Sequence, residues 1–104
     1  MRLTGKQRRR FRSYKKRDKK TGCWVWQGFI DESGHGRMRR YGTLLYAHVI
    51  AYEEWVGRVP EGQELHHACL NPACVNPKHL EPMTHKDHIR HHYKEQKLRR
   101  FGLL

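Results

Sequence analysis

The stretch from Leu65 to His92 concentrates the side chains that could do chemistry. It contains two of the three cysteines in the chain and most of its histidines. Cys69, Cys74 and His79 follow one another with four residues between each pair. A compact Cys/Cys/His run in a short chain is typical of a metal-bound loop, because thiolates and imidazoles are the usual ligands of structural zinc. The run therefore predicts a zinc site.

A structural zinc ion takes four ligands in a tetrahedron, so one further side chain is needed. Cys23, the remaining cysteine, is the predicted fourth ligand, and it would join the N-terminal strands to the loop as a Cys3His site. His67 competes for this place because it lies close to Cys69 in the sequence. Buried reduced cysteines are the alternative to a metal site. The Asn-Pro pairs at 71–72 and 76–77 favour the metal loop, since they are typical of tight turns.

Three histidines flank the predicted loop and have the chemistry for hydrolysis. His66 and His67 precede it, and His88 follows it. Adjacent residues on a strand point to opposite faces, so His66 and His67 need not share a role. A histidine with a free ring nitrogen can take a proton from water, and a divalent cation can stabilise charge on a phosphate and its leaving oxygen. The stretch thus offers the groups needed to hydrolyse a phosphodiester.

The positive charge of the chain is concentrated at its N-terminus. The formal net charge is +12, and residues 1–20 hold eleven Lys or Arg and one acid, or +10. Such a segment is typical of salt-sensitive contacts with a phosphate backbone, so double-stranded DNA is the predicted partner. The alternatives are a solvated terminus that aids solubility and an anionic membrane surface, but no apolar face for lipid is visible. We expect a poorly ordered or DNA-induced arm. Its predicted DNA contacts are Arg8, Arg9, Arg10, Arg12, Lys15 and Lys16.

Length and composition predict one small domain, residues 21–104, attached to this arm. A domain of this size has a small core and often depends on a metal, a disulfide or a partner subunit. The odd number of cysteines fits a complete disulfide framework poorly, and the charged N-terminus lacks the apolar region of a secretory signal. With no apolar run of membrane-spanning length, we expect a protein of the reducing cytoplasm and no membrane partner.

The segment before the metal loop predicts a small sheet and one helix. Residues 23–30, 36–40 and 43–47 read as three antiparallel strands. Arg37 and Arg39 alternate with Met38 and so project from one face, where they either contact phosphates or are solvated. Residues 47–56 read as a packed helix that ends at Gly57, with His48 as a structural hydrogen-bonding residue. The expected core residues are Trp24, Trp26, Ile50, Tyr52 and Trp55.

The metal loop lies between two predicted strands, at 63–67 and 79–83. Thr84 is the predicted N-cap of a helix that runs from His85 to about Arg100, with Asp87 completing a pattern close to a capping box. The predicted order is strand, loop, strand and helix. The fold class is therefore α+β, with a small antiparallel sheet beside a zinc-stapled ββα unit.

The run H-H-A-C-x4-C-x4-H, continued by T-H-K-D-H, resembles the HNH or His-Me finger (ββα-metal) endonucleases. It is most similar to the phage and intron-encoded type with a zinc-binding loop and to the His-Cys box homing endonucleases. The pieces C-W-V-W-Q-G, G-H-G-R and A-H-V-I-A-Y-E also resemble the phage type, so the resemblance covers about residues 22–92. It implies a metal-dependent DNA endonuclease acting in the cytoplasm of a bacterial or phage-infected cell.

The resemblance also implies a role for each histidine. His67 matches the general base, His66 stands where an Asp metal ligand is usual, and His88 matches the metal ligand on the helix. His79 falls at the central Asn of the pattern, which the zinc-loop members use as a zinc ligand. A pair of imidazoles should favour Mn2+, Ni2+ or Co2+ over Mg2+ as the catalytic ion. Three further histidines are expected to face phosphate or solvent: His85, His91 and His92.

Two other functions remain open at the level of sequence. The histidines would be structural in a non-catalytic, zinc-dependent DNA-binding protein, and a component of phage packaging or head assembly is a third reading. One active site cuts one strand, so the sequence does not separate a nickase from a double-strand cutter. Double-strand cleavage would need a homodimer, and no decisive dimer surface is visible.

Overall fold

A computed structural model of the chain describes residues 3–90. Its elements run in this order: helix α1 (Gly5–Ser13), strands β1 (Lys15–Arg17), β2 (Trp24–Trp26), β3 (Phe29–Ile30), β4 (Gly36–Arg40) and β5 (Thr43–Tyr46), helix α2 (Ala47–Trp55), strand β6 (Gln63–His67), a 3-10 turn (Pro77–His79) and strand β7 (Leu80–Thr84). Residues 85–90 begin a further helix, α3. The α+β class is confirmed.

The strands form three small antiparallel sheets, β1-β2, β3-β4-β5 and β6-β7. The predicted strand over 23–30 is divided, because β2 pairs with β1 and β3 pairs with β4. Gly28 lies at the break, where a Cβ atom would stand 2.8 Å from Nε1 of Trp26. The predicted three-stranded sheet is present, but its first strand contains only Phe29 and Ile30.

The N-terminal segment is folded against the domain over the described residues 3–20. Thr4 and Gln7 form a capping box at the start of α1. Phe11 is fully buried, with its ring centroid 5.0 Å from that of Trp26 and 5.4 Å from that of Trp55. The expectation of a poorly ordered arm is therefore wrong here, because one apolar side chain on an otherwise basic helix reaches the core.

A buried carboxylate fixes the start of the chain to helix α2. Glu54 is 7% exposed, and its Oε2 accepts a hydrogen bond from the backbone N–H of Leu3 at 2.9 Å. Arg8 donates from Nε to Oε1 of the same carboxylate at 2.8 Å. A buried charge is costly unless it is paired, so Arg8 has a structural role as the partner of Glu54.

Helix α2 packs on the core through two of its three predicted core residues, Ile50 and Trp55. Trp26 and Ile50 are buried, and Trp24 and Trp55 are half-buried against the same cluster. Tyr52 is half-buried. Gly57 follows the helix with a φ of 150°, in agreement with its predicted place at the helix end. None of the helices within residues 3–90 is long and apolar enough to cross a membrane.

Strands β6 and β7 and helix α3 form the predicted ββα unit. The two strands pair over their whole lengths, from Gln63 opposite Thr84 to His67 opposite Leu80. Thr84 caps α3, because its Oγ1 accepts a hydrogen bond from the backbone N–H of Asp87 at 3.2 Å. The predicted continuation of α3 to Arg100, with His91 and His92, lies outside the described residues.

Candidate metal centre and catalytic site

Four side chains bring their ligand atoms together in the way that a tetrahedral zinc site requires. They are Cys23, Cys69, Cys74 and His79, whose ligand atoms all lie within 4.8 Å of one another. Nδ1 of His79 is 3.6 Å from Sγ of Cys23 and 3.5 Å from Sγ of Cys74. Ligands about 2.0–2.3 Å from a tetrahedral ion lie roughly 3.5–3.8 Å from one another, so the spacing fits zinc.

The chemistry of the donors also fits a cation. All three cysteines are free thiols, and Cys23 and Cys74 are buried. Burial raises the pKa of Cys74 to about 12 and raises that of Cys69, so the protein alone would not hold these groups as thiolates. A bound cation is what would make three neighbouring thiolates favourable. His67, the competing fourth ligand, is not in this group.

The loop between β6 and β7 is built by two Asn-Pro turns, as its sequence predicts. Asn71 Oδ1 accepts from the backbone N–H of Ala73, and Asn76 Oδ1 accepts from that of Lys78, each at 3.0 Å. Between these turns the loop pairs with β2, because the N–H of Trp26 donates to Ala73 O and the N–H of Val75 donates to Trp24 O. The cysteines of the loop are thereby brought beside Cys23.

His67 is held by the backbone of the metal loop. Its Nε2 is 3.1 Å from the carbonyl oxygen of Cys74. A carbonyl can only accept, so Nε2 carries the proton and Nδ1 keeps its lone pair in the neutral ring. Burial, followed by the charge of His35, lowers the pKa of His67 to about 4. The ring is therefore neutral at physiological pH, with one nitrogen able to accept a proton.

His66 and His88, the predicted ligands of the catalytic ion, are brought together across the ββα unit. Their ring centroids are 5.2 Å apart. Nδ1 of His88 hydrogen-bonds Oε1 of Glu64, which leaves Nε2 as the ring atom available to a metal. The same carboxylate oxygen is 3.2 Å from Nδ1 of His85, so His85 contacts the site through Glu64. These contacts lower the pKa of Glu64.

Sequence reasoning missed Glu64, although a signal was present. Glu64 lies two residues before His66 on β6, and alternate residues of a strand point to the same face. A carboxylate behind a metal-binding imidazole fixes both the tautomer and the orientation of the ring. The order Glu, any residue, His on β6 places Glu64 on the same face as His66, but its contacts with His88 and His85 arise only from the packing of α3.

A second group of histidines surrounds His67. The ring centroid of His48 is 4.6 Å from that of His67, and the ring centroid of His35 is 5.6 Å from it. His48 is 7% exposed, and its Nδ1 has no hydrogen-bond partner within residues 3–90. The interpretation of His48 as a structural hydrogen-bonding residue is not supported at this nitrogen. Burial, with a further contribution from His67, lowers the pKa of His48 to about 3.

Arg37 and Arg39, the two arginines of β4 predicted to contact phosphates, share a face but differ in their surroundings. Arg37 donates from Nε to Oδ2 of Asp31 at 2.9 Å, and its guanidinium carbon lies 3.8 Å from the ring centroid of Tyr46. Arg39 is exposed and donates to Gly42 O at 3.1 Å. Tyr46 also contacts the rings of His35 and His48. Arg37 is thus connected to the histidine group, and Arg39 lies towards the β4–β5 turn.

The six predicted DNA contacts of the N-terminal segment divide by environment. Arg8 pairs with Glu54, and the ammonium of Lys15 lies 3.4 Å from the ring centroid of Trp24. The other four are exposed: Arg9, Arg10, Arg12 and Lys16. The exposed four are free of these packing roles, and a role for them in DNA binding stays a prediction.

The comparison with protein families agrees with this geometry. Residues 45–90 match the family described as HNH endonuclease. The match covers helix α2, both strands of the ββα unit, the metal loop and the described part of α3. The predicted HNH resemblance is confirmed for this segment, and HNH nucleases as a class act on nucleic acid and depend on a metal.

Similar proteins come from bacteriophages. The chain is 35% identical over 69 residues to Protein 2.8 of Escherichia phage T7, with 64% of this chain and 46% of that protein covered. It is 43% identical over 65 residues to Protein 7.7 of the same phage, with 62% and 50% covered. The chain therefore spans about half the length of these relatives. No solved structure matches the chain significantly.

Proposed function

We propose that the protein is a metal-dependent DNA endonuclease that cuts phosphodiester bonds at the ββα unit. The observation that carries the proposal is the hydrogen bond from Nε2 of His67 to the carbonyl of Cys74. It fixes the ring and its tautomer, so that Nδ1 can take a proton from water. A histidine that served only to fill the core would not need a defined free nitrogen beside the imidazoles of His35 and His48.

His67 is the proposed general base, and His66 and His88 are the proposed ligands of one divalent ion. Such an ion, when bound, stabilises charge on the phosphate and on the leaving 3′ oxygen. Glu64 holds His88 so that Nε2 is presented to the site. His67 stays neutral because burial disfavours its charged form. In this proposal His67 removes the proton from water, and His66 and His88 hold the ion that positions the phosphate.

The Cys3His group is the proposed structural zinc site. It joins residue 23, ahead of β2, to the loop between β6 and β7. Cys74 contributes its thiol to this group and its carbonyl to His67. Zinc would therefore hold the loop backbone that orients the base.

Exposed cations on α1 and β1 are the proposed contacts to the duplex. Arg9, Arg10, Arg12 and Lys16 project into solvent. Lysine and arginine contacts to phosphates release counterions, so such binding weakens steeply as salt rises. Arg37, fixed by Asp31 beside the histidine group, is a further proposed phosphate contact, and Arg39 a more distant one.

Two imidazole ligands make a softer site than the carboxylate and amide pair that is usual in the resembling endonucleases. We therefore expect cleavage to be faster with Mn2+, Ni2+ or Co2+ than with Mg2+ at equal concentration. Equal rates with Mg2+ and Mn2+ throughout a metal titration would contradict the proposed ligand pair.

Relaxation of supercoiled plasmid with added Mn2+ tests the activity. The wild-type, zinc-loaded protein should nick the plasmid, and His67→Ala should reduce the rate on the order of 100-fold or more, because a positioned general base contributes about that much. Glu61→Gln, at an exposed turn, is a control that should cut like wild type. Persistent cutting by His67→Ala would remove His67 as the base.

A non-catalytic zinc-dependent DNA-binding protein is the second candidate. The observation that favours it is burial, because His66 is only 5% exposed and His67 only 9%. Such values are low for side chains that must reach a substrate. If the wild-type protein binds duplex DNA and cuts none with any of the four ions, this second function is the better one.

A further inference from the structure

A cavity of about 410 Å³ lies beside the proposed catalytic site, and its lining includes His35 and His48 from the group around His67 and His88 from the proposed metal ligands. His35, Tyr46 and His48 contribute one part of its lining, and Glu64 and His88 contribute another. The proposed metal ligand His88 thus shares a cavity with two imidazoles to which the preceding mechanism gives no task. A substrate atom bound near His88 would have these rings as neighbours.

The turn between β3 and β4 is built to hold His35 in one position. Oδ1 of Asp31 accepts from the backbone N–H groups of Ser33 and His35, each at 3.0 Å, and from the hydroxyl of Ser33 at 2.7 Å. Its Oδ2 accepts from Arg37. The hydrogen bond from the Ser33 hydroxyl, ahead of the others, holds the pKa of Asp31 well below its usual range. One carboxylate therefore orders the whole turn and stays charged.

The residue after His35, Gly36, is packed closely against the core. Gly36 is buried, and a Cβ atom there would lie 2.6 Å from two ring atoms of Trp26. The indole of Trp26 in turn donates to the carbonyl of Arg37 at 3.2 Å. Because Trp26 belongs to the core, the turn that carries His35 is anchored to the rigid part of the molecule.

The hydrogen-bond chain assigns the tautomer of His35. Nδ1 of His35 is 2.8 Å from Oγ of Ser33, whose single proton goes to the Asp31 carboxylate. Ser33 Oγ must then accept from Nδ1–H of His35. Nε2 is consequently the ring atom left for a ligand, and a ring that carries protons on both nitrogens would donate to an anion from Nε2. Asp31, through Ser33, is placed to offset that positive charge.

We propose that His35 is a phosphate-contact residue, and that its Nε2–H donates to a non-bridging oxygen of the phosphodiester that occupies the cavity beside His88. This inference rests on the proposed function, since it names a further contact to the same substrate. His35 stands 5.6 Å from His67, ring centroid to ring centroid, so a phosphate within its reach is also near the proposed base. A charged His35 also lowers the pKa of His67, which keeps the base unprotonated.

Kinetics of plasmid nicking with Mn2+ give the first test, on the zinc-loaded full chain. His35→Phe keeps a ring against His48 and Tyr46 but lacks nitrogen, and His35→Gln keeps a polar group but loses the ring. Both should lower kcat on the order of 100-fold with little change in KM, because a donor aimed at developing charge contributes about that much. Glu32→Gln, an exposed side chain in the same turn, should leave kcat unchanged.

The second test does not depend on cleavage. The Nε2 resonance of His35 in the 15N-labelled wild-type protein is followed by NMR while a 12-base-pair DNA duplex is added without Mn2+. The resonance should shift and report a protonated Nε2 in the complex. Because this measurement uses the wild-type protein, it holds even if His35→Phe fails to fold.

The outcomes separate the two proposals. Lower kcat in both variants together with a shifted resonance supports the contact. Wild-type cutting by His35→Phe, which has no donor, overturns the contact and leaves the endonuclease intact. A shifted resonance in a wild-type protein that cuts no DNA supports the phosphate contact and removes the proposed endonuclease. An unshifted resonance in the DNA-bound protein overturns the contact whatever the activity.

Discussion

His67 and Cys74 are linked by one hydrogen bond, from the imidazole Nε2 to the backbone carbonyl at 3.1 Å. Cys74 also brings its thiol to within 3.5 Å of His79 Nδ1 in the Cys3His group. One residue therefore belongs both to the candidate zinc centre and to the support of the proposed base. A change that disturbs the metal loop should reach His67 through this carbonyl.

Replacing Cys74 by serine should remove zinc and unfold the domain. Binding to structural zinc contributes on the order of 10 kcal/mol in small metal-dependent folds, which is comparable to the whole stability of a typical domain. We expect metal analysis to fall from one zinc per chain to near none, with loss of the cooperative thermal transition in circular dichroism. Ala73→Ser, at the neighbouring half-buried position, is the matched control and should keep both. A Cys74→Ser protein with an unchanged melting temperature would contradict the structural role of zinc.

Removing the carboxylate behind His88 should weaken the catalytic metal site without disturbing the fold. Supporting partners of metal ligands are worth about 10–100-fold in metal affinity, so Glu64→Ala should raise the half-saturating Mn2+ concentration by about that factor. Glu64→Gln keeps an oxygen that can accept from His88 Nδ1 and should recover part of the loss. Glu61→Ala, at an exposed turn ahead of β6, serves as the control. Identical Mn2+ titrations for Glu64→Ala and wild type would show that Glu64 does not support a metal ligand.

Arg8 and Arg9 are neighbours in sequence, but replacing Arg8 should change the stability of the protein, and replacing Arg9 should change the salt dependence of DNA binding. Arg8→Ala leaves the buried Glu54 carboxylate with one charged partner fewer and should lower the free energy of unfolding by about 1–2 kcal/mol, a value reduced for the partial exposure of Arg8. Arg9→Ala should leave stability unchanged and, if Arg9 contacts a phosphate, should reduce the slope of log K against log salt by about 1. Urea unfolding and salt-dependent anisotropy with a fluorescent duplex measure the two effects. A loss of stability in Arg9→Ala together with a smaller salt slope in Arg8→Ala would exchange the roles assigned to the two residues.

The sequence predicted the parts of the site that depend on local spacing. The Cys-x4-Cys-x4-His run and the two Asn-Pro turns are defined within a dozen residues, and the structure confirms their arrangement. His35 and His48 could not be assigned in this way, because they lie 32 and 19 positions before His67 and only the packing of separate elements brings the rings together. The prediction of a poorly ordered N-terminal segment was wrong for another reason. Its charge is spread over the exposed face of α1 and obscures the two buried apolar residues of the segment, Leu3 and Phe11.

Acid should destabilise the protein through the buried histidines. The pKa values of His48 and His67 in the folded state, about 3 and about 4, lie below the ordinary value of 6.5. Between pH 6.5 and these values the unfolded chain binds more protons than the folded one, so stability rises with pH and is lost progressively as pH falls through this window. Each unit of pKa difference corresponds to about 1.4 kcal/mol, so several kcal/mol should be lost by about pH 4.

A comparison of wild type with His48→Gln isolates the contribution of one of these rings to the acid sensitivity. Glutamine cannot ionise, so the free energy of unfolding should fall less steeply between pH 6.5 and pH 4 in the variant than in the wild-type protein. Protonation of His79 and of the thiolates acts equally in both proteins and cancels in the difference. Urea denaturation of the zinc-loaded proteins at half-unit pH steps provides the measurement. Parallel curves over that range would mean that His48 takes up its proton equally in the folded and unfolded protein, and the packing of its ring 4.6 Å from His67 would then need another source of stabilisation.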